Sequence, residues 1–173
     1  MKDTARIITT LHCGRGCTYC ANKLYLKQAK PLHDWKQLHK YSTLCLTGGE
    51  PLMEPERLFA FIDEVRKVRQ FKLYLYLSTF AVLDDFIKAV AVADGITWTV
   101  HQKCSAFDLI RLTLVQQHIN GTKNNRLVLH TGAEDSWAGL VNYAKWSRVT
   151  ILYMTPTTCD LPSNEDLFML EDF

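Results

Sequence analysis

The sequence predicts an α/β fold built around a parallel sheet. Segments rich in Val, Ile, Leu, Thr and Tyr, which favour strands, alternate with helical patterns from end to end. No linker or low-complexity tract interrupts this alternation. The 173 residues suffice for one domain with a full hydrophobic core, whereas a complete eight-unit barrel needs about 250 residues. We therefore expect one α/β domain that is too short for such a barrel.

Six strands and five helices are predicted, and they alternate strictly. Helix 56–69 has the clearest pattern, because its apolar residues recur on one stripe, Pro55 stands at its start and cations lie near its end. The predicted elements are strand 6–12, helix 34–40, strand 43–47, helix 56–69, strand 72–78, helix 83–93, strand 96–101, helix 107–119, strand 125–130, helix 137–146 and strand 149–154.

The C-terminal residues 160–173 lie beyond the last predicted strand. They carry acids and no base, together with four consecutive apolar residues at 167–170. This composition predicts a short capping helix that starts at Ser163 or Asn164 and buries an apolar stripe against the core. The chain is accordingly divided into a core domain, 1–159, and a capping tail, 160–173.

Charge and composition restrict the class of protein. The formal net charge of +2 is too mild to indicate a nucleic-acid partner. No run approaches 18 consecutive apolar residues, so no membrane-spanning helix is predicted. Six cysteines without an N-terminal apolar segment argue against secretion and a disulfide framework, and they fit a reducing cytoplasm. We therefore expect a soluble, cytoplasmic protein.

Three cysteines stand close together after the first predicted strand. Cys13, Cys17 and Cys20 have the spacing C-x3-C-x2-C, and no fourth cysteine lies near them in the sequence. Three thiolates can hold three corners of an iron–sulfur cube, whereas a zinc ion or an electron-transfer cluster needs a fourth protein ligand. An iron without a protein ligand is an open coordination site. The spacing therefore predicts a cluster that binds a further ligand.

A second motif closes the second predicted strand. Thr47, Gly48, Gly49, Glu50 and Pro51 follow the apolar end of that strand. A residue without Cβ lets the backbone come close to a ligand, which gives the glycines a physical reason. Since the carboxyl ends of parallel strands meet at one face of a sheet, both motifs are expected at the same face.

Together, these motifs resemble those of radical S-adenosylmethionine (SAM) enzymes, whose signature is C-x3-C-x-aromatic-C followed by Gly-Gly-Glu. Tyr19 is the aromatic residue here. The resemblance covers nearly the whole chain and implies a partial, TIM-like (β/α)6 barrel, which matches the six predicted strands. It also implies a 4Fe-4S cluster and SAM as cofactors. In that family, an electron from the cluster cleaves SAM to methionine and a 5'-deoxyadenosyl radical, which takes a hydrogen atom from the substrate.

The resemblance assigns roles to individual residues. It implies that the cluster ligands are Cys13, Cys17 and Cys20. It places Tyr19 near the adenine, and it assigns the methionyl ammonium to Gly48, Gly49 and Glu50. Further SAM contacts are expected at the ends of other strands, at Ser78, Thr79, His101, Lys103 and His130.

Five residues near the predicted site have alternative interpretations. His101 and His130 also fit structural histidines, and Arg15 fits either a cation that offsets cluster charge or a solvated loop residue. Cys104 and Cys159, which follow later strands, are interpreted as loop thiols, with donation of a hydrogen atom or binding of substrate as the alternative.

The motifs name no substrate. The small size and Asn22 resemble activases of glycyl-radical enzymes, although His101 replaces the Asp of their Asp-x-Lys pair. The alternative is a 7-carboxy-7-deazaguanine synthase-like enzyme, in which Asp-Thr stands where this chain has Ala21 and Asn22. The expected substrate is a protein or a small anion, and the expected reductant is a flavodoxin or a ferredoxin.

Two further alternatives stay open at this point. The chain also fits a non-catalytic iron–sulfur or zinc module, in which the same cysteines bind metal without chemistry. The open edge of an incomplete parallel barrel leaves room for a second copy of the chain.

Overall fold

The structure of the chain is a computed structural model that describes residues 2–17, 20, 25–101, 105–131, 137, 139–153 and 161–171. It contains a single sheet in which every pair of neighbouring strands is parallel. In chain order the strands are β1 (Thr4–Thr10), β2 (Lys30–Leu32), β3 (Thr43–Gly48), β4 (Lys72–Leu77), β5 (Gly95–Val100), β6 (Arg126–His130), β7 (Arg148–Leu152) and β8 (Glu165–Leu170). The order across the sheet is β2-β8-β1-β3-β4-β5-β6-β7.

Three α-helices connect the central strands: α1 (Pro55–Val68), α2 (Leu83–Val92) and α3 (Ala106–His118). Helix α1 begins at a proline, whose missing N–H costs nothing in the first turn, and α3 begins after Ser105, whose side chain accepts from Asp108 N. Short 3-10 helices occur at Leu26–Gln28, Trp35–Leu38, Pro51–Met53 and Tyr143–Lys145. In the described part of the chain, no helix has the length and apolar character needed to cross a membrane.

The predicted α/β class with a parallel sheet is confirmed, and the prediction of a six-stranded partial barrel is wrong. All six predicted strands are present, as β1 and β3 to β7, with ends within two residues of the prediction. The sheet has eight strands because β2 and β8 extend it beyond β1. Strand β2 has only three residues, one of which is Pro31, so it carries too short a pattern to be recognised.

The predicted capping helix in the tail is also wrong, because residues 165–170 form β8. This strand lies between β1 and β2 and pairs with β1 from Glu165 opposite Thr4 to Met169 opposite Ile8. Two acids of this segment are bound by side chains from distant parts of the chain. Arg6 donates to both carboxylate oxygens of Glu165, at 2.5 and 3.1 Å, and Asp166 accepts from the Tyr41 hydroxyl at 2.6 Å.

The helix predictions are partly confirmed. Helices 56–69, 83–93 and 107–119 are α1, α2 and α3, whereas the predicted helix 34–40 is only the 3-10 helix Trp35–Leu38. Of the predicted helix 137–146, Trp137 is helical, whereas residues 139–146 contain only the 3-10 helix Tyr143–Lys145. Gly139 disfavours a helix there, and the Asn142 side chain accepts from Ala144 N in a local turn.

The two faces of the sheet have different chemistry. Alternate residues of β3 to β6, such as Leu46, Leu75 and Trp98, are buried in one apolar cluster with side chains of α1, α2 and α3. Right-handed crossovers between consecutive parallel strands place these helices on a single face. The intervening residues, which include Thr97 and Thr99, point to the opposite face, where a pocket opens.

The position of β8 in the sheet can be tested by substitution of one of its buried residues. Phe168 is 4 % exposed and meets Tyr41 edge to face at a ring-centroid distance of 5.8 Å. We expect Phe168→Ala to lower the free energy of unfolding by about 3–5 kcal/mol in urea titrations, because it leaves a cavity. The matched change Phe107→Ala, at a side chain that is 70 % exposed, should stay within about 0.5 kcal/mol. Equal effects of the two changes would contradict the position of β8.

Candidate functional site

The strand order identifies a crevice at the carboxyl ends of β1 and β3. The chain leaves β1 towards β2, on one side, and leaves β3 towards β4, on the other side. In open parallel sheets, ligands bind where neighbouring strands send their connections in opposite directions. The segment with Cys13 and Cys17 follows β1, and Gly49 and Glu50 follow β3. Both motifs therefore flank a crevice that the topology alone marks as a binding site.

A pocket of about 280 Å³ opens beside this crevice, between the cysteine segment and the carboxyl-terminal parts of β3 to β7. It brings together most of the site residues that the sequence predicted. Its lining includes Cys13, Cys17, Cys20, Gly48, Gly49, Glu50, Ser78, His101 and His130, with Tyr76, Thr97 and Thr99. Thr79 contacts Glu50 beside this lining. A larger pocket of about 670 Å³, lined by the end of β1 and by β8, contains none of the predicted site residues.

Several predicted residues lie outside the described part of the chain. Among the expected SAM contacts these are Tyr19 and Lys103. The same holds for the loop thiols Cys104 and Cys159, and for Asn22. Their predicted roles stay predictions.

The two glycines let β3 end directly against the end of β1. A Cβ on Gly48, whose φ is +138°, would collide with the Thr10 carbonyl oxygen, and a Cβ on Gly49 would collide with that of His12. The Gly49 and Glu50 N–H groups donate to these same two oxygens, each at 2.7 Å. The glycines are therefore required for contact between the two motif-bearing segments, a reason that the sequence did not reveal.

This contact predicts a large effect on folding. We expect Gly49→Ala to lower the free energy of unfolding by about 1–3 kcal/mol or more, because the clash is with backbone that cannot rotate away. Gly14→Ala is the matched control, since a Cβ there meets nothing within 4 Å. It should change stability by at most about 1 kcal/mol in either direction. Urea titration of both variants measures the difference, and similar values would show that the contact is not required.

Glu50 is a buried carboxylate with only one oxygen satisfied. It is 1 % exposed, and its Oε2 accepts from Ser78 N at 2.9 Å, Ser78 Oγ at 2.7 Å and Thr79 N at 3.0 Å. Its Oε1 is buried and has no hydrogen-bond partner among the described residues. Burial raises the pKa of Glu50 to about 7, against the opposing effect of the hydrogen bonds from Ser78 and Thr79. An unsatisfied buried acceptor is a position for a donor on a ligand.

The cysteine thiols line the pocket as separate groups. Cys13 is exposed, whereas Cys17 and Cys20 are half-buried. Burial raises the pKa of Cys17, and the nearby Cys13 and Cys20 thiols raise it further. Cys17 Sγ lies 3.7 Å from His101 Nδ1. Among the described residues, no three His, Cys, Asp or Glu side chains converge on a point where a metal ion could bind.

The two histidines form one wall of the pocket. The His101 and His130 rings meet nearly at right angles, with centroids 4.7 Å apart. Burial lowers the pKa of His101 to about 4, with further contributions from His130 and Arg15, and burial also lowers the pKa of His130. Both imidazoles are therefore neutral near pH 7, and they offer a ligand hydrogen bonds rather than positive charge.

The Arg15 side chain is mostly buried and bonded to other parts of the chain, so its interpretation as a solvated loop residue is wrong. Its side chain is 14 % exposed, its Nη2 donates to Ser78 O at 2.8 Å, and it forms an ion pair with Asp108. Sequence reasoning missed Asp108, because nothing in the chain links it to the cysteine segment. The one available signal was the pattern Ser105-x-x-Asp108, a capping box that indicates the start of α3 and no more.

Comparison with known proteins finds no match for this chain among protein-family models, curated proteins or solved structures. The functional interpretation therefore depends on the residues of the site.

Proposed function

We propose that the chain is a radical SAM enzyme, which uses a 4Fe-4S cluster to cleave SAM reductively and abstracts a hydrogen atom from a substrate. One observation carries the proposal: a C-x3-C-x2-C segment and a Gly-Gly-Glu motif flank the same crevice, and the buried carboxylate of that motif has an unsatisfied oxygen. The fold class and the position of the crevice agree with this function.

The donor set fits such a cluster. The proposed ligands are the thiolates of Cys13, Cys17 and Cys20, which lie in one pocket and leave a fourth iron without a protein ligand. When bound, the cluster would supply the electron that splits SAM into methionine and a 5'-deoxyadenosyl radical. The unsatisfied Glu50 Oε1 is the proposed acceptor for the methionyl ammonium, because a charge-assisted hydrogen bond there would offset the cost of burying the carboxylate.

The remaining wall of the pocket suits the polar parts of SAM. Ser78 and Thr79 orient Glu50 through three hydrogen bonds to its other oxygen. The neutral rings of His101 and His130 would exchange hydrogen bonds with the ribose or the carboxylate, without adding charge. Tyr19 near the adenine and Lys103 as a further contact belong to the same proposal. The proposed substrate is a protein, as for a glycyl-radical-enzyme activase, or a small anion, as for a 7-carboxy-7-deazaguanine synthase-like enzyme.

A second candidate is a non-catalytic zinc module. The specific observation that favours it is the 3.7 Å distance between Cys17 Sγ and His101 Nδ1, because His101 offers the fourth ligand that the cysteines lack. Three cysteines and one histidine are a common ligand set for structural zinc.

Metal analysis under strictly anaerobic conditions separates the two candidates. For the enzyme, we expect about four irons and four sulfides per chain, and an electron paramagnetic resonance signal of the reduced protein that changes when SAM is added. His101→Ala should retain the irons, since the imidazole is not a cluster ligand in this proposal. One zinc per chain that His101→Ala loses would instead establish the zinc module.

A further inference from the structure

The segment between the first two cysteines has one polar anchor. Cys13, Gly14 and Gly16 are exposed, and a Cβ on either glycine would meet nothing within 4 Å. Residues 13–17 make no backbone hydrogen bonds to other described residues. Arg15 is the exception in this segment, because its side chain is buried and bonded to groups from two other elements.

Both partners of Arg15 are themselves fixed. The Asp108 side chain is 11 % exposed, and its Oδ2 accepts from Ser105 N at 2.8 Å and Ser105 Oγ at 3.1 Å, which ties it to the first turn of α3. The other partner, the Ser78 carbonyl, follows β4, and the N–H and hydroxyl of the same residue hold Glu50. One guanidinium therefore joins the cysteine segment to α3 and to the residue that orients the carboxylate.

We propose that Arg15 is a positioning residue, whose ion pair with Asp108 and hydrogen bond to Ser78 hold residues 13–17 over the ends of β4 and β5 and keep the Cys17 thiol in the pocket beside His101. This arrangement of Arg15, Asp108 and Ser78, called the clamp below, forms without a cluster. Its purpose, which is to present Cys17 as a cluster ligand, rests on the proposed function.

The chemistry of arginine suits this role. One nitrogen of Arg15, Nη2, donates to both the Asp108 carboxylate and the Ser78 carbonyl. The charge is spread over a planar group that is more weakly hydrated than a lysine ammonium, which makes it easier to remove from water. Asp108 compensates the positive charge, so the pair can be buried beside thiols. Without Asp108 the Arg15 guanidinium loses its carboxylate partner, and without Arg15 the Asp108 carboxylate is left with the 3.9 Å ion pair to Arg111. Either change therefore removes the contact that holds residues 13–17 against α3.

The test measures access to the Cys17 thiol in the cluster-free, reduced chain. Alkylation by iodoacetamide is followed by mass spectrometry at rising pH, and the plateau rate at high pH is compared, since it no longer depends on thiol pKa. We expect Arg15→Ala and Asp108→Asn each to raise the plateau rate at Cys17 by about tenfold or more. The rate at Cys45, which is buried in the sheet, reports global unfolding and should not change.

Ser105→Ala is the matched control, because it removes the hydroxyl cap of α3 and one of the two bonds to Asp108 Oδ2, whereas the Ser105 N–H bond to Asp108 and the ion pair with Arg15 stay in place. It should leave the Cys17 rate unchanged, and the double variant of Arg15 and Asp108 should be no faster than the faster single variant. If Ser105→Ala accelerates Cys17 as much as Asp108→Asn does, or if neither charge removal accelerates it, the clamp is disproved. If Arg15→Ala also exposes Cys45, Arg15→Lys replaces it, with the same expected acceleration at Cys17 alone.

This experiment separates the clamp from the proposed function. Wild-type protein that binds no iron would disprove the cluster, while the alkylation rates would still decide whether Arg15 holds the segment. If iron binds, Arg15→Ala should show a weaker iron affinity together with the faster alkylation. Iron binding that is unchanged despite faster alkylation would show that the clamp does not serve the cluster.

Discussion

Cys17→Ala should abolish the iron–sulfur absorption and the cleavage of SAM together. Two thiolates would remain where three are needed, and no other described cysteine lines the pocket. Iron analysis and chromatography for 5'-deoxyadenosine after anaerobic reconstitution measure both quantities. We expect a loss to the background of the assay rather than a partial decrease.

The matched control is Cys45→Ala. Cys45 is buried within β3, away from the pocket lining, and its thiol pKa is raised to about 11 by burial, so it is inert. This variant should keep its irons and its activity at the cost of about 1 kcal/mol of stability. Retained cleavage in Cys17→Ala would mean that the cluster is held elsewhere, and the assignment of the site would fail.

Glu50→Gln should make the ligand-free protein more stable and bind SAM more weakly. The amide oxygen can accept the hydrogen bonds from Ser78 and Thr79, while the amide N–H₂ takes the place of the unsatisfied Oε1. Loss of the negative charge removes a charge-assisted hydrogen bond to the ammonium, which corresponds to about tenfold to hundredfold in affinity. Equilibrium dialysis with SAM measures this decrease.

The stability effect has a defined pH dependence. The pKa of Glu50 is raised from 4.5 to about 7 in the folded chain, so the ionised form is disfavoured by folding. The stability that the protonated Glu50 side chain contributes is therefore fully present below pH 4.5 and is lost as the pH rises through about 7. Raising the pKa of Glu50 from 4.5 to about 7 corresponds to a loss of about 3 kcal/mol in the free energy of unfolding once the carboxylate is ionised. The free energy of unfolding of Glu50→Gln should exceed that of the wild type by up to this amount at pH 8, and the two should be equal near pH 4.

Urea titrations at the two pH values test this expectation. Glu56→Gln is the matched control, because Glu56 is exposed on α1 and its substitution should change the free energy of unfolding by at most about 0.5 kcal/mol. A Glu50→Gln variant that is less stable than the wild type at pH 8 would contradict the description of Glu50 as a carboxylate kept for a ligand rather than for folding.

The central part of the fold could be predicted because its signals are local. Strands β1 and β3 to β7 are apolar runs, and α1 has an apolar stripe with a proline at its start. Strand β8 could not be predicted in this way, because its acids can be buried in the sheet only where Arg6 and Tyr41 donate hydrogen bonds to them. Both donors come from distant parts of the chain. In the sequence alone, the same acids beside four apolar residues indicate a capping helix with one buried face.

The candidate site likewise has features with local sequence signals and features that depend on distant residues. The cysteine spacing and the Gly-Gly-Glu motif are visible in the sequence, and strand order then explains why they meet. The unsatisfied Glu50 Oε1 and the ion pair between Arg15 and Asp108 depend on residues that only the fold brings together. No spacing rule connects a loop arginine to an aspartate in a helix that follows four strands later.

The most direct test of the central claim is the formation of 5'-deoxyadenosine by the wild-type chain. The protein is reconstituted anaerobically with iron and sulfide, reduced with dithionite and incubated with SAM, and the products are separated by chromatography. We predict 5'-deoxyadenosine and methionine in equal amounts, well above the level of Cys17→Ala. A wild-type chain that binds no iron, or that forms no more 5'-deoxyadenosine than Cys17→Ala, would contradict the proposal of a radical SAM enzyme.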